Sequence, residues 1–170
     1  LEVDVALLDS VIEFNGRRLE LLAEVVSNLG TLAEAPAEEQ AKAMFMPSSY
    51  HFFEPSDFTY SSMRESGDFR LLADADTKPR LLRLVRRYRL IDTLQKNFIQ
   101  AMDDEYIPLM MAGFDLVEQR VTDPAIFESQ VFKNFFPYTY QDIETRVKVY
   151  KQARDEANEL LELIEAQIRD

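Results

Sequence analysis

The chain has 170 residues, a length that fits one domain with one substantial core. It carries 31 acidic and 19 basic residues and a net charge of −12, which disfavours binding to nucleic acid and to anionic lipid surfaces. The absence of cysteine excludes disulfides, zinc–thiolate sites and iron–sulfur clusters. We therefore expect a single domain over residues 1–170 that binds no nucleic acid and requires no cofactor.

The first third of the chain predicts one long helix and one short helix. Across residues 1–29, core-type positions recur at alternating steps of four and three, which is a heptad pattern. Gly30 follows where a left-handed residue often ends a helix. The segment 37–45 predicts a short helix, and the two prolines within 47–56 predict an irregular connection.

The middle of the chain predicts a corner followed by a second long helix. Ser56 is suited to cap a short helix, and Gly67 would then take the left-handed position that ends it. Beyond this corner, apolar residues spaced by three and four predict a helix from Thr77 to about residue 112. A kink or break is expected near Pro108.

The last third predicts another short helix and a third long one. Asp123 before Pro124 is a helix-start pattern, and the short helix is expected to stop at Pro137. Thr139 is suited to cap the long helix that follows. Together these elements predict an all-α fold, an antiparallel helical bundle of three long helices with short helices in the two long connections. Heptads can be satisfied within one chain or between chains, so self-association stays open.

Three polar residues occupy core-type positions near the middles of the predicted long helices: Asn15, Gln95 and Arg154. In an antiparallel bundle they would form one layer. One interpretation is an internal pocket for a small polar or anionic ligand, with Arg154 as its charge partner. The other is a layer that fixes helix register, which is the more common role of single buried polar residues. Arg154 could also extend to the surface, which would remove the only charge of the layer.

Residues 78–89 hold six basic side chains and no acidic one. Arginines in such a run could grip a phosphate or an acidic partner. On long helices they more often pair with acidic residues of neighbouring helices, here Glu156, Glu159 and Glu162.

Aromatic residues crowd both long connections, where they could line a ligand cleft. Large rings at such places more often plug the ends of a bundle, because each buries a large area. The two groups are Phe45, Tyr50, Phe52, Phe53, Phe58 and Tyr60, and then Phe127, Phe132, Phe135, Phe136, Tyr138 and Tyr140.

The residues that carry most enzymatic chemistry are scarce. The single histidine, His51, leaves no pair of histidine ligands for a di-iron or zinc helix site. The acidic run 103–105 lacks the spacing and the glycine of a calcium loop, and the four glycines form no phosphate loop. Paired carboxylates for glycoside hydrolysis stay possible, although nothing in the sequence singles them out. The sequence therefore predicts a protein that is not an enzyme and has no metal site.

The stretch TYSSMRESGDFRLLADADTKPRLLRLVRRY resembles a motif of uncharacterised bacterial proteins, a domain of unknown function anchored by one N-terminal membrane helix. The family pattern reads TY-x-x-L-x-x-S-G-x-L-x-L-I and continues into a leucine-containing helix that ends in tyrosine. The matching or conservatively replaced positions are Thr59, Tyr60, Met63, Ser66, Gly67, Phe69, Leu71, Leu72 and Tyr88.

The resemblance implies a helical domain held outside the bacterial inner membrane, on the periplasmic side, and it implies no activity. The helical pattern begins at residue 1 without a capping residue, so we expect a membrane segment upstream of Leu1. A cytoplasmic location is the alternative. No run within the chain reaches the roughly 18 apolar residues of a membrane helix.

Two functional hypotheses follow. The first is a membrane-tethered bundle of the cell envelope that acts in interaction, scaffolding or sensing, through an unknown protein partner or through self-association. The second is a soluble ligand-binding bundle whose site is the polar layer of Asn15, Gln95 and Arg154.

Overall fold

A computed structural model describes residues 1–56, 65 and 76–169, and the chain is all-α over these residues apart from one short hairpin. No helix in this part of the chain is long and apolar enough to cross a lipid bilayer. The first half contains helix α1 (Glu2–Asn28), a 3₁₀ helix (Leu29–Glu34), helix α2 (Ala37–Phe45) and helix α3 (Thr77–Ala101).

The second half begins with a π-helical turn and ends with a helix of 40 residues. Its elements are the π turn (Met102–Tyr106), helix α4 (Ile107–Gly113), strands β1 (Phe114–Asp115) and β2 (Arg120–Val121), a 3₁₀ helix (Pro124–Glu128) and helix α5 (Gln130–Arg169). The strands are antiparallel, with Phe114 opposite Val121.

The chain divides into two compact units, and α1, α3 and α5 each contribute to both. Unit 1 comprises the described residues within Leu1–Glu13, Phe52–Thr93 and Val147–Asp170. Unit 2 comprises Phe14–His51 and Leu94–Arg146. The expectation of one domain over residues 1–170 stays a prediction.

The core of unit 1 forms where α1, α3 and α5 meet. Leu84 of α3 is buried together with Ala157 and Leu160 of α5. These small and medium side chains recur at helical spacing, so the facing helices bury one continuous apolar stripe. Partly buried side chains complete the cluster: Leu1, Val5, Leu81, Tyr88 and Ile164.

The predicted pairing of the arginine-rich segment with acidic residues is confirmed for Arg80 and Arg87. Arg80 Nη1 lies 3.1 Å from Glu159 Oε2. Arg87 binds the Glu156 carboxylate through Nη2 at 2.8 Å and through Nε at 3.4 Å. Bidentate contacts of this kind are the stronger class of ion pair, so Arg87 contributes more than the more exposed Arg80.

Unit 1 also buries a carboxylate, Asp4, which is 2% exposed. Its Oδ1 accepts a hydrogen bond from the Ser56 backbone N–H at 2.8 Å, and its Oδ2 accepts one from the Tyr88 hydroxyl at 3.2 Å. The carboxylate therefore connects α1, the connection before residue 57, and α3. Burial, followed by the charge of Asp4, raises the pKa of Tyr88.

Asp4→Ala should lower the free energy of unfolding by about 1 to 3 kcal/mol, because two donors lose a charged acceptor. Urea unfolding followed by far-UV circular dichroism measures the loss. Asp9→Ala is the matched control, since Asp9 lies on the same helix and its side chain is 58% exposed. Equal stability of the two variants would show that the buried hydrogen bonds of Asp4 contribute nothing.

In unit 2, the predicted left-handed ending of α1 at Gly30 is wrong. The backbone at Gly30 does not enter the left-handed region, and the chain continues directly into the 3₁₀ helix. Thr31 Oγ1 donates to the Asn28 carbonyl at 3.1 Å, and Leu32 is buried. The 3₁₀ helix turns Leu32 into the interior. Burial of Leu32, and not a glycine cap, therefore explains the path of the chain after α1.

The break expected near Pro108 is present as the π turn just before it. Pro108 lacks an N–H and its ring collides with the carbonyl four residues earlier, so the ladder reorganises to an i to i+5 pattern. The Ile107 N–H accordingly donates to the Met102 carbonyl. Tyr106 and Met110 are the next buried side chains after Met102, whereas the helical steps of three and four in the sequence would have buried positions 105 and 109.

The predicted stop at Pro137 and the predicted cap at Thr139 are both wrong. Helix α5 begins at Gln130, and the side chain of Ser129 accepts the Phe132 backbone N–H at 3.1 Å as its cap. Pro137 lies inside the helix, and the Thr139 hydroxyl donates to the Phe135 carbonyl at 2.8 Å.

The hairpin β1–β2 was not predicted. Asp115 Oδ1 accepts the backbone N–H groups of Val117 and Glu118 at 2.9 and 3.0 Å, which closes the turn. Gly113 leads into it, and a Cβ there would lie 3.2 Å from the Ile126 side chain. The hairpin therefore depends on local side-chain chemistry that apolar alternation does not show.

Candidate functional site

The three residues of the predicted polar layer lie in different surroundings. Asn15 and Gln95 are buried within unit 2, and Asn15 Nδ2 donates to the His51 carbonyl at 3.1 Å. Arg154 belongs to unit 1. Its guanidinium contacts Asp9 Oδ1 at 3.3 Å and Asp155 Oδ1 at 2.8 Å, so its charge is engaged at the surface. The assignment of Arg154 as a buried charge partner is corrected, and its outward alternative is the observed one.

The motif residues are only partly described. Thr59, Tyr60, Ser66 and Gly67 lie outside the described residues, and so does the predicted corner at Gly67. Tyr88 is half-buried, with its ring 5.1 Å from that of Phe53 and its hydroxyl on Asp4. Its role in unit 1 is structural.

The buried positive charge of unit 2 comes from two arginines that were not predicted. Arg146 is fully buried, its Nε lies 2.7 Å from Asp142 Oδ2, and its guanidinium carbon lies 4.7 Å from the centre of the Phe98 ring. Arg18 is 4% exposed and is close enough to Arg146 and Asp142 to be influenced by both charges. One carboxylate therefore faces two buried guanidinium groups, which we call the arginine cluster.

Arg18 is incompletely satisfied. Its Nη2 donates to the carbonyls of Met46 and Pro47 at 3.0 and 3.3 Å. Its Nε and Nη1 are buried and have no hydrogen-bond partner among the described residues. Burial, followed by repulsion from Arg146, lowers the pKa of Arg18 to about 10. Unsatisfied buried donors and repulsion between like charges both cost free energy, so we expect Arg18 to lower the stability of the fold.

A sequence signal for Arg18 existed. The buried face of α1 carries residues 4, 8, 11, 15, 18 and 22, which step alternately by four and three. Asp4 and Arg18 fit this stripe, but charged residues are assigned to the solvated face by default. Arg146 offered a similar signal, since it follows Ile143 by three positions on the core face of α5.

Arg18 also lines a surface groove of unit 2, with a volume of about 1120 Å³. One wall is α1, a second is α2 with the turn after it, and the third is the hairpin loop at 118–120. Four large apolar side chains line it together with two alanines, and Leu21 among them is 51% exposed. The four large side chains are Phe14, Leu21, Phe45 and Met46.

The charged side chains of the groove are mainly basic. Four basic residues and two acidic residues line it, which gives a net charge of +2 on a chain of −12. Lys42 and Glu38 pair with each other at 2.8 Å on the exposed side of α2. The other charged residues of the lining are Arg17, Arg18, Glu118 and Arg120.

Backbone strain marks the hairpin side of the groove. Gln119 adopts a φ of 49°, in the left-handed region that disfavours residues with a side chain. Such conformations cost on the order of 1 kcal/mol and cluster at binding sites. The strained residue lies between Glu118 and Arg120, and all three residues line the groove.

Among the described residues, histidine, aspartate and glutamate form no group of three that could hold a metal ion. The ring of His51 packs edge-to-face on Phe14, with centroids 5.4 Å apart.

Comparison of the chain with protein-family models, curated proteins and solved structures gave no match.

Proposed function

We propose that this chain is a non-enzymatic interaction domain that recognises a partner protein through the groove of unit 2. The observation that carries the proposal is the composition of this groove, in which the exposed Leu21 and the partly buried Phe14, Phe45 and Met46 lie beside an excess of positive charge. Exposed apolar surface with charged surroundings is characteristic of protein-binding sites. A volume of about 1120 Å³ is at the upper end for small-molecule pockets and favours a protein segment.

The scaffold of this domain, as we propose it, is an antiparallel bundle of α1, α3 and α5. Support comes from unit 1, where contacts run in opposite order along α3 and α5. Thr77 hydrogen-bonds Gln167, and farther along α3, Arg87 contacts Glu156. Helix α2, with the turn after it, and the hairpin then supply the other walls of the groove.

For the location, we propose the bacterial cell envelope, with the domain tethered to the inner membrane. The support is the resemblance of the motif around Ser66 and Gly67 to that of membrane-anchored proteins. Fractionation of cells that express the full-length protein tests this proposal. We expect to recover the protein from the membrane fraction. Its release by high salt alone would contradict a membrane-spanning segment in the same polypeptide.

Site-specific photo-crosslinking in the native cells tests the interaction function. A photoreactive residue in place of the exposed, groove-lining Ala37 should give a discrete adduct, to be identified by mass spectrometry. Leu21→Asp in the same chain should abolish the adduct, because a carboxylate on the apolar wall opposes burial. The adduct should persist with Leu90→Asp, a matched control whose leucine is 42% exposed on α3 in unit 1.

The crosslinked protein is then purified and titrated by isothermal calorimetry. Native chain and Leu90→Asp should bind with the same affinity, and Leu21→Asp should bind at least about tenfold more weakly, a difference of roughly 1.4 kcal/mol. An adduct with a second copy of this chain would identify the partner as self-association. Adducts that ignore Leu21→Asp would refute the groove as an interaction site.

A further inference from the structure

We infer that the segment received by the groove is an acidic amphipathic helix, an inference that rests on the proposed interaction function. It specifies the chemistry of the partner, which the proposed function leaves open. Three observations support it: the surface charge of the groove, the buried arginine cluster beneath it, and the line of apolar side chains along α1.

The surface charge selects for an acidic partner. The groove lining carries a net charge of +2 while the whole chain carries −12, so an acidic segment is repelled less at the groove than by the chain on average. Opposite charge across an interface raises association rates and rejects the wrong partners. Arg17 and Arg120 lie on different walls of the groove, so carboxylates on both edges of a helix find a basic residue.

The arginine cluster adds buried positive charge beside the groove. Two buried guanidinium groups, those of Arg18 and Arg146, share the carboxylate of Asp142, and charges interact more strongly in a medium of low dielectric constant. Arg18 belongs both to this cluster and to the groove lining. A carboxylate in the groove therefore gains interaction energy even without displacing the hydrogen bonds that Arg18 makes to Met46 and Pro47.

The apolar line sets the conformation of the segment. Phe14 and Leu21 are seven residues apart on α1, which places them on one side of the helix about 10 Å apart. Phe45 and Met46 face the same groove from the other wall. A helix that anchors two or three apolar side chains at heptad-like spacing matches this length, as in other helix-in-groove interactions.

Fluorescence anisotropy with two synthetic peptides tests the inference directly. Both are labelled amphipathic helices of roughly four turns with leucine on the apolar face. One carries glutamate on its polar face, and the other carries glutamine at every one of those positions. The acidic peptide should bind the native chain about tenfold more tightly than the neutral peptide at low salt. The preference should shrink as salt is raised, because exposed charges are screened.

Variants separate the two sources of charge. Arg17→Gln with Arg120→Gln should weaken the acidic peptide several-fold and leave the neutral peptide unchanged. Arg18→Met should also reduce the preference for the acidic peptide. This reduction should depend less on salt concentration than that of the double variant, because salt screens a buried charge poorly. Arg83→Gln, a control on an exposed arginine of unit 1, should change neither affinity.

The outcomes distinguish this inference from the proposed function. Equal binding of both peptides overturns the acidic partner, while sensitivity to Leu21→Asp in the crosslinking experiment would still support a groove-binding function. Failure of both peptides to bind also overturns the acidic helix. If Leu21→Asp leaves peptide affinity unchanged, the peptide binds outside the groove, and this result overturns the inference as well.

Discussion

Tyr106→Ala should lower the free energy of unfolding by about 3 to 5 kcal/mol, a large part of the stability of a typical domain. Tyr106 is fully buried at the end of the π turn. Its ring stacks on Phe135 at a centroid distance of 4.6 Å and meets Phe136 edge-on at 6.1 Å. Its hydroxyl donates to the Met44 carbonyl at 2.6 Å. Alanine would therefore leave a cavity among aromatic rings and remove a buried donor.

The contributions of ring and hydroxyl can be separated by urea unfolding. Tyr106→Phe should cost about 1 to 2 kcal/mol, since only the hydrogen bond to the Met44 carbonyl is lost. Tyr138→Ala is the matched control, because its ring also contacts Phe135 but is 40% exposed. Its loss should be clearly smaller. If Tyr106→Ala cost no more than Tyr138→Ala, the aromatic cluster would not be a main source of stability.

The same aromatic cluster explains why the beginning of the last helix could not be predicted. Proline inside a helix costs about 3 kcal/mol, so a stop at Pro137 was the reasonable expectation. Phe132, Phe135 and Phe136 are all buried, and each lies on the helix that includes this proline. Burial of a large apolar side chain contributes about 2 to 3 kcal/mol, so tertiary packing outweighs the local penalty. Helix propensities in the sequence predict the local effect of Pro137, but they do not predict the tertiary packing of the neighbouring phenylalanines.

Periodicity was the reliable part of the sequence. It correctly predicted α1, the short helix 37–45, and the beginning of α3 at Thr77. It failed beyond Met102, because the π turn adds a residue and shifts the buried positions to Tyr106 and Met110. The period of a helix is constant only while its hydrogen-bond pattern is constant, and the sequence shows Pro108 but not how the ladder reorganises.

The site was harder to predict than the fold, because its central residues break the rule that charges face solvent. The hypothesis of a buried polar layer placed Asn15 and Gln95 correctly in the interior, but it took its charge from Arg154. All three were selected as polar exceptions within assumed apolar seams. Arg18 is adjacent to Leu19, which the heptad pattern of residues 1–29 places at a core-type position, so the same rule assigns Arg18 to the solvent-facing side. Residues that cost stability are expected where function requires them.

Arg18→Met should raise the free energy of unfolding at neutral pH by about 1 to 2 kcal/mol. The substitution removes a buried cation that Arg146 repels and whose Nε and Nη1 lack hydrogen bonds among the described residues. Replacing buried charges by apolar residues of similar size is often neutral or stabilising by 1 to 4 kcal/mol. Part of this gain is offset, since the carbonyls of Met46 and Pro47 lose their donor.

The pH dependence identifies the cause of this gain. The pKa of Arg18 is lowered to about 10 by burial and by Arg146, so folding disfavours its charged form. The penalty is therefore fully present below pH 10, and it is lost as pH rises from about 10 toward the higher pKa of arginine in the unfolded chain. The stability difference between Arg18→Met and the native chain, from urea unfolding at several pH values, should be constant near neutrality and shrink above pH 10.

Arg17→Met is the control, because Arg17 is the exposed neighbour on the same helix and also lines the groove. It should leave stability at neutral pH nearly unchanged while weakening binding of the acidic peptide. Together the two variants compare Arg17, which is expected to bind the acidic peptide without lowering folding stability, with Arg18, which is expected to bind it while lowering folding stability. If Arg18→Met were destabilising at neutral pH, the arginine cluster would be a source of stability, and its excess charge would no longer imply selection for a ligand.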